Sequence, residues 1–158
     1  MKTISIIGCV AAIVVGMSAP ASAADTDPEV IIYRFPGVMD DGGVFFVGIS
    51  TVFNCTNFSG VTEKIRFATR TLDGTLVGNT PFGIPHLQTL TASTHPARAF
   101  ANQNTLTPLV SITQGTTAIA ATSTSIICTA AAVDAANAKP DGIALRGIRF
   151  NPIPGSQE

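Results

Sequence analysis

The segment NCTNFSGVTEKIRFATRTLDG (54–74) combines a cysteine, a turn sequence and a regular alternation of apolar and polar side chains. Between residues 61 and 71 the apolar face carries Val61, Ile65 and Phe67, and the polar face carries Thr62, Lys64, Arg66, Ala68 and Arg70. Successive side chains of a strand point to opposite faces of a sheet, so this period of two predicts a half-buried antiparallel strand. Asp73-Gly74 then predicts a tight turn.

The rest of the chain contains similar short segments, rich in β-branched and aromatic residues and separated by glycine and proline. No long amphipathic helical pattern interrupts them. We therefore predict an all-β protein, a single antiparallel β-sandwich of about seven or eight strands with Greek-key connections. The other predicted strands are residues 30–35, 44–55, 75–77, 86–94, 109–113, 116–131 and 143–150.

The segments between these strands predict turns and loops. Pro36-Gly37 ends the first strand, MDDGG (39–43) is a turn, and Gln114-Gly115 separates two strands. The segment GNTPFGIP (78–85) is expected to be an irregular loop. Residues 44–55 are apolar on both faces, which predicts either burial on both sides or a bulge in this strand.

Residues 1–23 have the pattern of a secretory signal peptide. Lys2 precedes an apolar run (4–17), and ASA (21–23) supplies the small residues that signal peptidase requires. The run is short for a membrane span, which needs about 20 apolar residues. We therefore expect a soluble, exported protein that is periplasmic or secreted. Lipid attachment at Cys9 is a minor alternative, because this cysteine lies within the apolar run.

The expected mature chain, residues 24–158, is long enough for one domain, with an irregular tail at 151–158. Cleavage removes one of nine basic residues and none of ten acidic residues, which leaves a net charge of −2. Charged residues are only 12% of the whole chain, and tryptophan is absent. This composition indicates neither a nucleic-acid interface nor a membrane surface.

Cys55 and Cys128 remain after cleavage. In an exported chain such a pair most simply forms one disulfide. A metal pair or a reactive thiol are the alternatives. A metal would want more ligands than two cysteines and two distant histidines offer.

With Cys55 near the end of an early long strand and Cys128 in the penultimate long strand, the chain resembles an immunoglobulin-like or fibronectin type III-like sandwich. The resemblance implies a cystine between two facing sheets. The sequence lacks the tryptophan that packs on that cystine, and Ile126 stands where a tyrosine is expected. The chain also resembles small secreted bacterial proteins, but this resemblance implies no functional residues.

No residues are predicted to be catalytic or to bind a metal or cofactor. His86 and His95 are the only histidines, and neither has a carboxylate or cysteine at ligand spacing. Asp40 and Asp41 are adjacent and lack the alternation of a calcium loop, so a turn is the preferred interpretation. A triad assembled across the fold stays a minor alternative, because no nucleophile motif supports it.

The row Lys64, Arg66 and Arg70 is the remaining candidate site. It would contact a carboxylate ligand, a lipopolysaccharide or an acidic protein. The alternative is a solvated sheet face whose charges prevent edge pairing. The leading functional hypothesis is a non-enzymatic exported module that binds an envelope or extracellular protein or an anionic ligand. A carrier with an apolar cavity between the sheets and an exported hydrolase are the alternatives, and the oligomeric state is left open.

Overall fold

The computed structural model describes residues 29–42, 45–106, 110–139 and 141–150, which form strands and loops without a helix. The predicted all-β class is therefore confirmed, whereas the predicted signal peptide (1–23) and tail (151–158) lie outside the described residues. The strands are β1 Val30–Asp40, β2 Ile49–Asn57, β3 Glu63–Arg70, β4 Leu76–Ile84, β5 Thr89–Ser93, β6 Asn104–Thr105, β7 Ile112–Ala121, β8 Ile126–Asp134, β9 Gly142–Leu145 and β10 Ile148–Arg149.

The strands hydrogen-bond into one curled mixed sheet with the shape of a half-barrel. One arm has the order β4-β3-β7-β1, and the other has the order β5-β2-β8-β9. The arms are joined where Asp40 of β1 pairs with Ser50 of β2. β10 extends the free edge of β1, and β6 pairs with β5 in parallel. The described strands thus number ten, more than the seven or eight that the sequence predicts. They are not all antiparallel, so the prediction of a purely antiparallel sheet is wrong.

The main core lies between the two arms. Phe53 of β2 is fully buried, and its ring centroid lies 5.6 Å from that of Phe35 and 5.7 Å from that of Phe67. Ile65 is also fully buried, as the alternation in β3 predicts. Aromatic pairs at these separations add to the hydrophobic free energy of their burial.

The predicted disulfide between Cys55 and Cys128 is present. The two cysteines are directly opposite each other on the neighbouring strands β2 and β8, with their Cα atoms 4.1 Å apart. The cystine therefore lies within one arm, and not between two facing sheets as the immunoglobulin resemblance implies. Within that arm the disulfide links residues that are 73 positions apart in the chain.

Two predicted interruptions are continuous strand. β1 runs through Pro36 and Gly37, with a register shift against β7 and a φ of 79° at Gly37 that glycine adopts without strain. Residues 78–85, expected to be a loop, belong mostly to β4. Pro81 is tolerated there because β4 is the edge of its arm, where a missing N–H leaves no partner unsatisfied.

Two predicted strands are broken, and one predicted turn is strand. The segment 116–131 turns at residues 122–125, where Ser123 Oγ accepts a hydrogen bond from the Ser125 N–H. Gly115 lies inside β7, where a Cβ would come within 2.4 Å of the Arg70 carbonyl oxygen. The predicted final strand is interrupted between β9 and β10, where a Cβ at Gly147 would come within 2.4 Å of the Phe35 ring.

The predicted strand 44–55 begins only at Ile49 and continues to Asn57. The residues just before it form a loop in which Phe46 and Gly48 have φ values of 63° and 74°. Gly37 shows that a strand tolerates a left-handed glycine, but this conformation is unfavourable for a residue with a Cβ such as Phe46, and residues 45–47 form a loop and not sheet.

The aromatic core predicts a large effect for Phe53→Ala. We expect a loss of about 3–5 kcal/mol in the free energy of unfolding, because the truncation leaves a cavity beside the rings of Phe35 and Phe67. Phe58→Ala is the matched control, since that side chain is half-exposed and its loss should cost roughly 0.5 kcal/mol or less. Urea denaturation measures both, and equal losses would contradict the assigned core.

The cystine predicts that the double variant Cys55→Ala/Cys128→Ala loses about 2–4 kcal/mol of unfolding free energy. Alkylation in denaturant, followed by peptide mass spectrometry, tests the pairing directly. Neither cysteine should react before a reductant is added. Alkylation of both cysteines in the untreated protein would show that they are free.

Candidate functional site

The basic row lies on the face that the sequence predicts, but it is partly neutralised. Glu29, immediately before β1, accepts hydrogen bonds from Arg66 Nε at 2.6 Å and Nη2 at 3.0 Å. Lys64 Nζ lies 3.4 Å from the same carboxylate. Arg70 donates to the Gly74 carbonyl of its own turn at 2.8 Å. Two of the three cations therefore already hold an anion that belongs to this chain.

The electrostatics of this group follow from the Arg66 contact. Its hydrogen bonds to Glu29 lower the pKa of that carboxyl below the ordinary value of 4.5, against the opposing effect of desolvation, and Lys64 lowers it further. The same contact raises the pKa of Arg66. A carboxyl with a depressed pKa stabilises the fold above its unfolded-state pKa, and this stability is lost as the pH falls through the folded-state pKa.

The two histidines have different environments. His86 lies in an exposed turn, and its Nδ1 accepts a hydrogen bond from the Gly60 N–H at 3.0 Å. His95 follows β5 and is buried. Its Nδ1 lies 3.0 Å from Asp40 Oδ2, and its Nε2 lies 2.9 Å from the Val47 carbonyl oxygen. The structure thus gives His95 a carboxylate partner that the sequence spacing did not suggest.

The positions of the His95 protons follow from these partners. A carbonyl oxygen can only accept a hydrogen bond, so Nε2 carries a hydrogen and donates it to Val47. The neutral ring then has a lone pair on Nδ1, which faces the lone pairs of the Asp40 carboxylate. Two acceptors 3.0 Å apart are stable only with a cation between them, either a proton or a metal ion.

The backbone around this pair is fixed by buried hydroxyl groups. Ser50 Oγ donates to the His95 carbonyl at 2.6 Å. Thr51 Oγ1 donates to the Met39 carbonyl at 2.8 Å, and Thr94 Oγ1 accepts from the Thr51 N–H at 3.0 Å. These bonds join β1, β2 and the end of β5 at the corner where the arms meet.

Asp41 completes the polar group. One donor atom from each of Asp40, Asp41 and His95 lies within 4.8 Å of the others. The Asp41 side chain folds over Gly48, where a Cβ would come within 1.6 Å of Asp41 Oδ2. A cleft of about 260 Å³ opens beside the two aspartates, with Ser111 and Thr113 on its wall. Asp40 Oδ1 also accepts from the Gly42 N–H at 2.7 Å, although Met39 and Asp40 are the last residues of β1 and not part of the turn that the sequence predicts for 39–43.

The loop between β1 and β2 presents apolar side chains to solvent. Phe45 is 68% exposed and Val47 is 53% exposed, although both are large and apolar. The Phe46 N–H donates to the Pro96 carbonyl at 3.1 Å, and the Arg98 guanidinium lies 5.4 Å from the centre of the Phe46 ring. This exposed loop (45–47) is therefore held at two backbone positions, by Pro96 and by His95.

The geometry at His95 does not form a Ser-His-Asp triad. Both ring nitrogens are engaged, by Asp40 and by the Val47 carbonyl. Ser50 bonds to the backbone of His95 and not to its ring. Among the described residues, neither nitrogen faces a hydroxyl nucleophile.

Two further clefts are open to solvent. One of about 380 Å³ lies beside the β3–β4 turn, and one of about 500 Å³ lies beside β10. Neither lies between the arms, where the ring of Phe53 contacts those of Phe35 and Phe67. These clefts give the carrier alternative no support.

Sequence reasoning placed Asp40 and Asp41 in a turn and His95 at the end of a loop, and it assigned no metal ligands. Asp40 and His95 are 55 positions apart, and only the pairing of β1 with β2 and of β2 with β5 brings them together. A usable signal was the Asp-Asp pair just before a glycine-rich loop.

No protein-family model matches this chain, and no curated protein or solved structure is significantly similar to it. The immunoglobulin-like resemblance therefore stays a prediction. Within the described segments, no helix has the length and apolarity that crossing a bilayer requires.

The Glu29 contacts predict a pH-dependent contribution to stability. Glu29→Gln should cost less than about 1 kcal/mol at pH 7, because the group is near the surface and screened. The difference from wild type should shrink as the pH falls from 4.5 through the lower folded-state pKa, since protonation then removes the charge of the wild-type carboxylate. Urea denaturation from pH 7 to pH 3 measures this.

The same variant tests the basic row. Release of Lys64 and Arg66 from Glu29 should increase retention on an anionic resin, and Arg70→Gln, which leaves that ion pair intact, serves as the control. A pH-independent difference in stability together with unchanged retention would contradict the ion-pair assignment.

Proposed function

We propose that this protein is a non-enzymatic exported binding module that acts in the periplasm or at the cell exterior. The observation that carries the proposal is the exposed loop (45–47), whose apolar side chains face solvent while its backbone is fixed. Exposed apolar groups on a fixed backbone are typical of a contact surface, because little conformational entropy is lost on binding.

Two further parts of the proposal are supported by the fold. The two arms enclose an aromatic core, which favours a sandwich-like packing of the arms. The Cys55–Cys128 disulfide fits an oxidising compartment, in agreement with the signal-peptide pattern of residues 1–23.

The partner that fits the loop is a protein with an apolar recess. Phe45 and Val47 supply the apolar contact, and Arg98, stacked on Phe46, offers a charge at the rim. Aromatic residues and arginine dominate the binding energy of many protein interfaces. A lipid surface is disfavoured because the carboxylate of Asp41 lies against Gly48 at the base of the loop.

Site-specific photo-crosslinking tests this function. A photoreactive phenylalanine analogue at position 45, in the producing cells, should give one discrete protein adduct. The same probe at Leu72, which is 71% exposed in the turn between β3 and β4, is the matched control and should give none. Val47→Ser should reduce the adduct at position 45 by about tenfold, because truncated interface anchors commonly cost 2 kcal/mol or more.

Other outcomes of this experiment would reject the proposal. Equal adducts from positions 45 and 72 would show non-specific contact. A position-45 probe that labels only lipid would show that the loop contacts a membrane and not a protein. Insensitivity of the adduct to Val47→Ser would exclude the loop as the contact surface.

A further inference from the structure

We propose that Asp40, Asp41 and His95 form a binding site for Zn²⁺ or a chemically similar first-row divalent metal ion. The site lies at the corner where β1 meets β2. Its three ligands are outside the exposed loop (45–47) that carries the proposed function, and His95 contacts that loop only through the Val47 carbonyl.

His95 is oriented like a metal-binding histidine, because the ring nitrogen that would not bind the metal already has a hydrogen-bond acceptor. Metal-binding histidines usually donate their second N–H to a carbonyl or carboxylate, which fixes the tautomer and ring orientation. In this chain Nε2 donates to the Val47 carbonyl at 2.9 Å, and Nδ1 is the ring atom that faces Asp40. Val47 is outside the set of three ligands, and its bond to the Nε2–H leaves Nδ1 as the ring atom for a metal.

The donor atoms lie close enough to converge on one ion. Ligand atoms bound at about 2.1 Å lie about 3.4 Å apart in a tetrahedral site. The separation of His95 Nδ1 and Asp40 Oδ2 is 3.0 Å, and one ligand atom from each of the three residues lies within 4.8 Å of the others. Binding would therefore draw the exposed Asp41 carboxylate closer to the buried pair.

The inward position of Asp41 depends on glycine at position 48. A Cβ there would overlap the Asp41 carboxylate at 1.6 Å, so any other residue would push the carboxylate away from His95. A divalent ion on Nδ1 would be shared by both carboxylates. Burial strengthens this attraction, because the side chains of His95 and Asp40 are only 4% and 3% exposed.

The ligand types select the class of metal. Imidazole favours zinc and the later first-row metals over calcium and magnesium, and carboxylates complete the charge balance. Three protein ligands leave a fourth position of a tetrahedral zinc site open. The cleft lined by Ser111 and Thr113 adjoins the two aspartates, so an exogenous ligand could reach that position.

Calorimetric titration with zinc chloride, on the full chain freed of metal by chelation and dialysis, tests the site. We expect one ion per chain at micromolar affinity or tighter. Asp41→Asn, an exposed substitution that leaves the buried pair intact, should weaken binding by at least about tenfold. His86→Asn is the matched control, because it removes the other histidine, and it should leave the affinity unchanged.

Nitrogen NMR of the histidine rings gives a second measurement that is independent of affinity. Zinc should shift the His95 Nδ1 resonance while the Nε2–H bonded to Val47 persists, and the His86 resonances should stay in place. If His95→Asn fails to fold, Asp41→Asn and the NMR shift still decide the matter.

The proposal is overturned if zinc gives no heat and no shift, if Asp41→Asn binds as well as wild type, or if His86→Asn abolishes binding. Both His95 nitrogens remaining protonated in excess zinc would show that a proton alone occupies the site. The Val47→Ser variant of the crosslinking test keeps all three proposed metal ligands and the backbone carbonyl at position 47. It should therefore bind zinc like wild type even if it no longer binds the protein partner.

Discussion

The buried pair between His95 and Asp40 is the interaction on which the corner of the molecule depends. Asp40 closes the pairing of β1 with β2, and the other ring nitrogen of His95 holds the Val47 carbonyl. Buried polar groups are costly unless they are bonded, and removal of one partner of a buried ionic pair commonly costs 3–5 kcal/mol. The junction of the two arms and the conformation of the adjoining loop therefore form together.

The same constraint explains how apolar side chains remain in solvent. Phe46 has a positive φ, which is unfavourable for a residue with a Cβ. Its N–H is bonded to Pro96 and the following carbonyl to His95, so the surrounding structure imposes this conformation. A loop without these anchors would fold its phenylalanines onto the protein. Strain that persists at an exposed apolar position is consistent with a contact role.

The alternation of apolar and polar residues in β3 correctly predicted which side chains are buried. The basic residues of β3 did not reveal their ion-pair partner. The period of two correctly placed Ile65 and Phe67 in the core and the basic side chains outside. It also put Glu63 on the inward face, where the structure buries it completely against Thr122. The sequence contains no sign that Glu29 would neutralise the basic row, because that contact reaches from the start of β1 to β3 across the intervening strand β7.

The sequence by itself determined the all-β class, the identity of the cystine and the inward face of β3, because composition and alternation are properties of neighbouring residues. Only the tertiary structure decided that Asp40, Asp41 and His95 converge, and that residues 45–47 form an exposed loop and not part of a strand. Strand pairing and register set those positions, and they depend on hydrogen bonds between residues far apart in the chain. A close approach such as that of Asp41 to Gly48 exists only once the strands have paired.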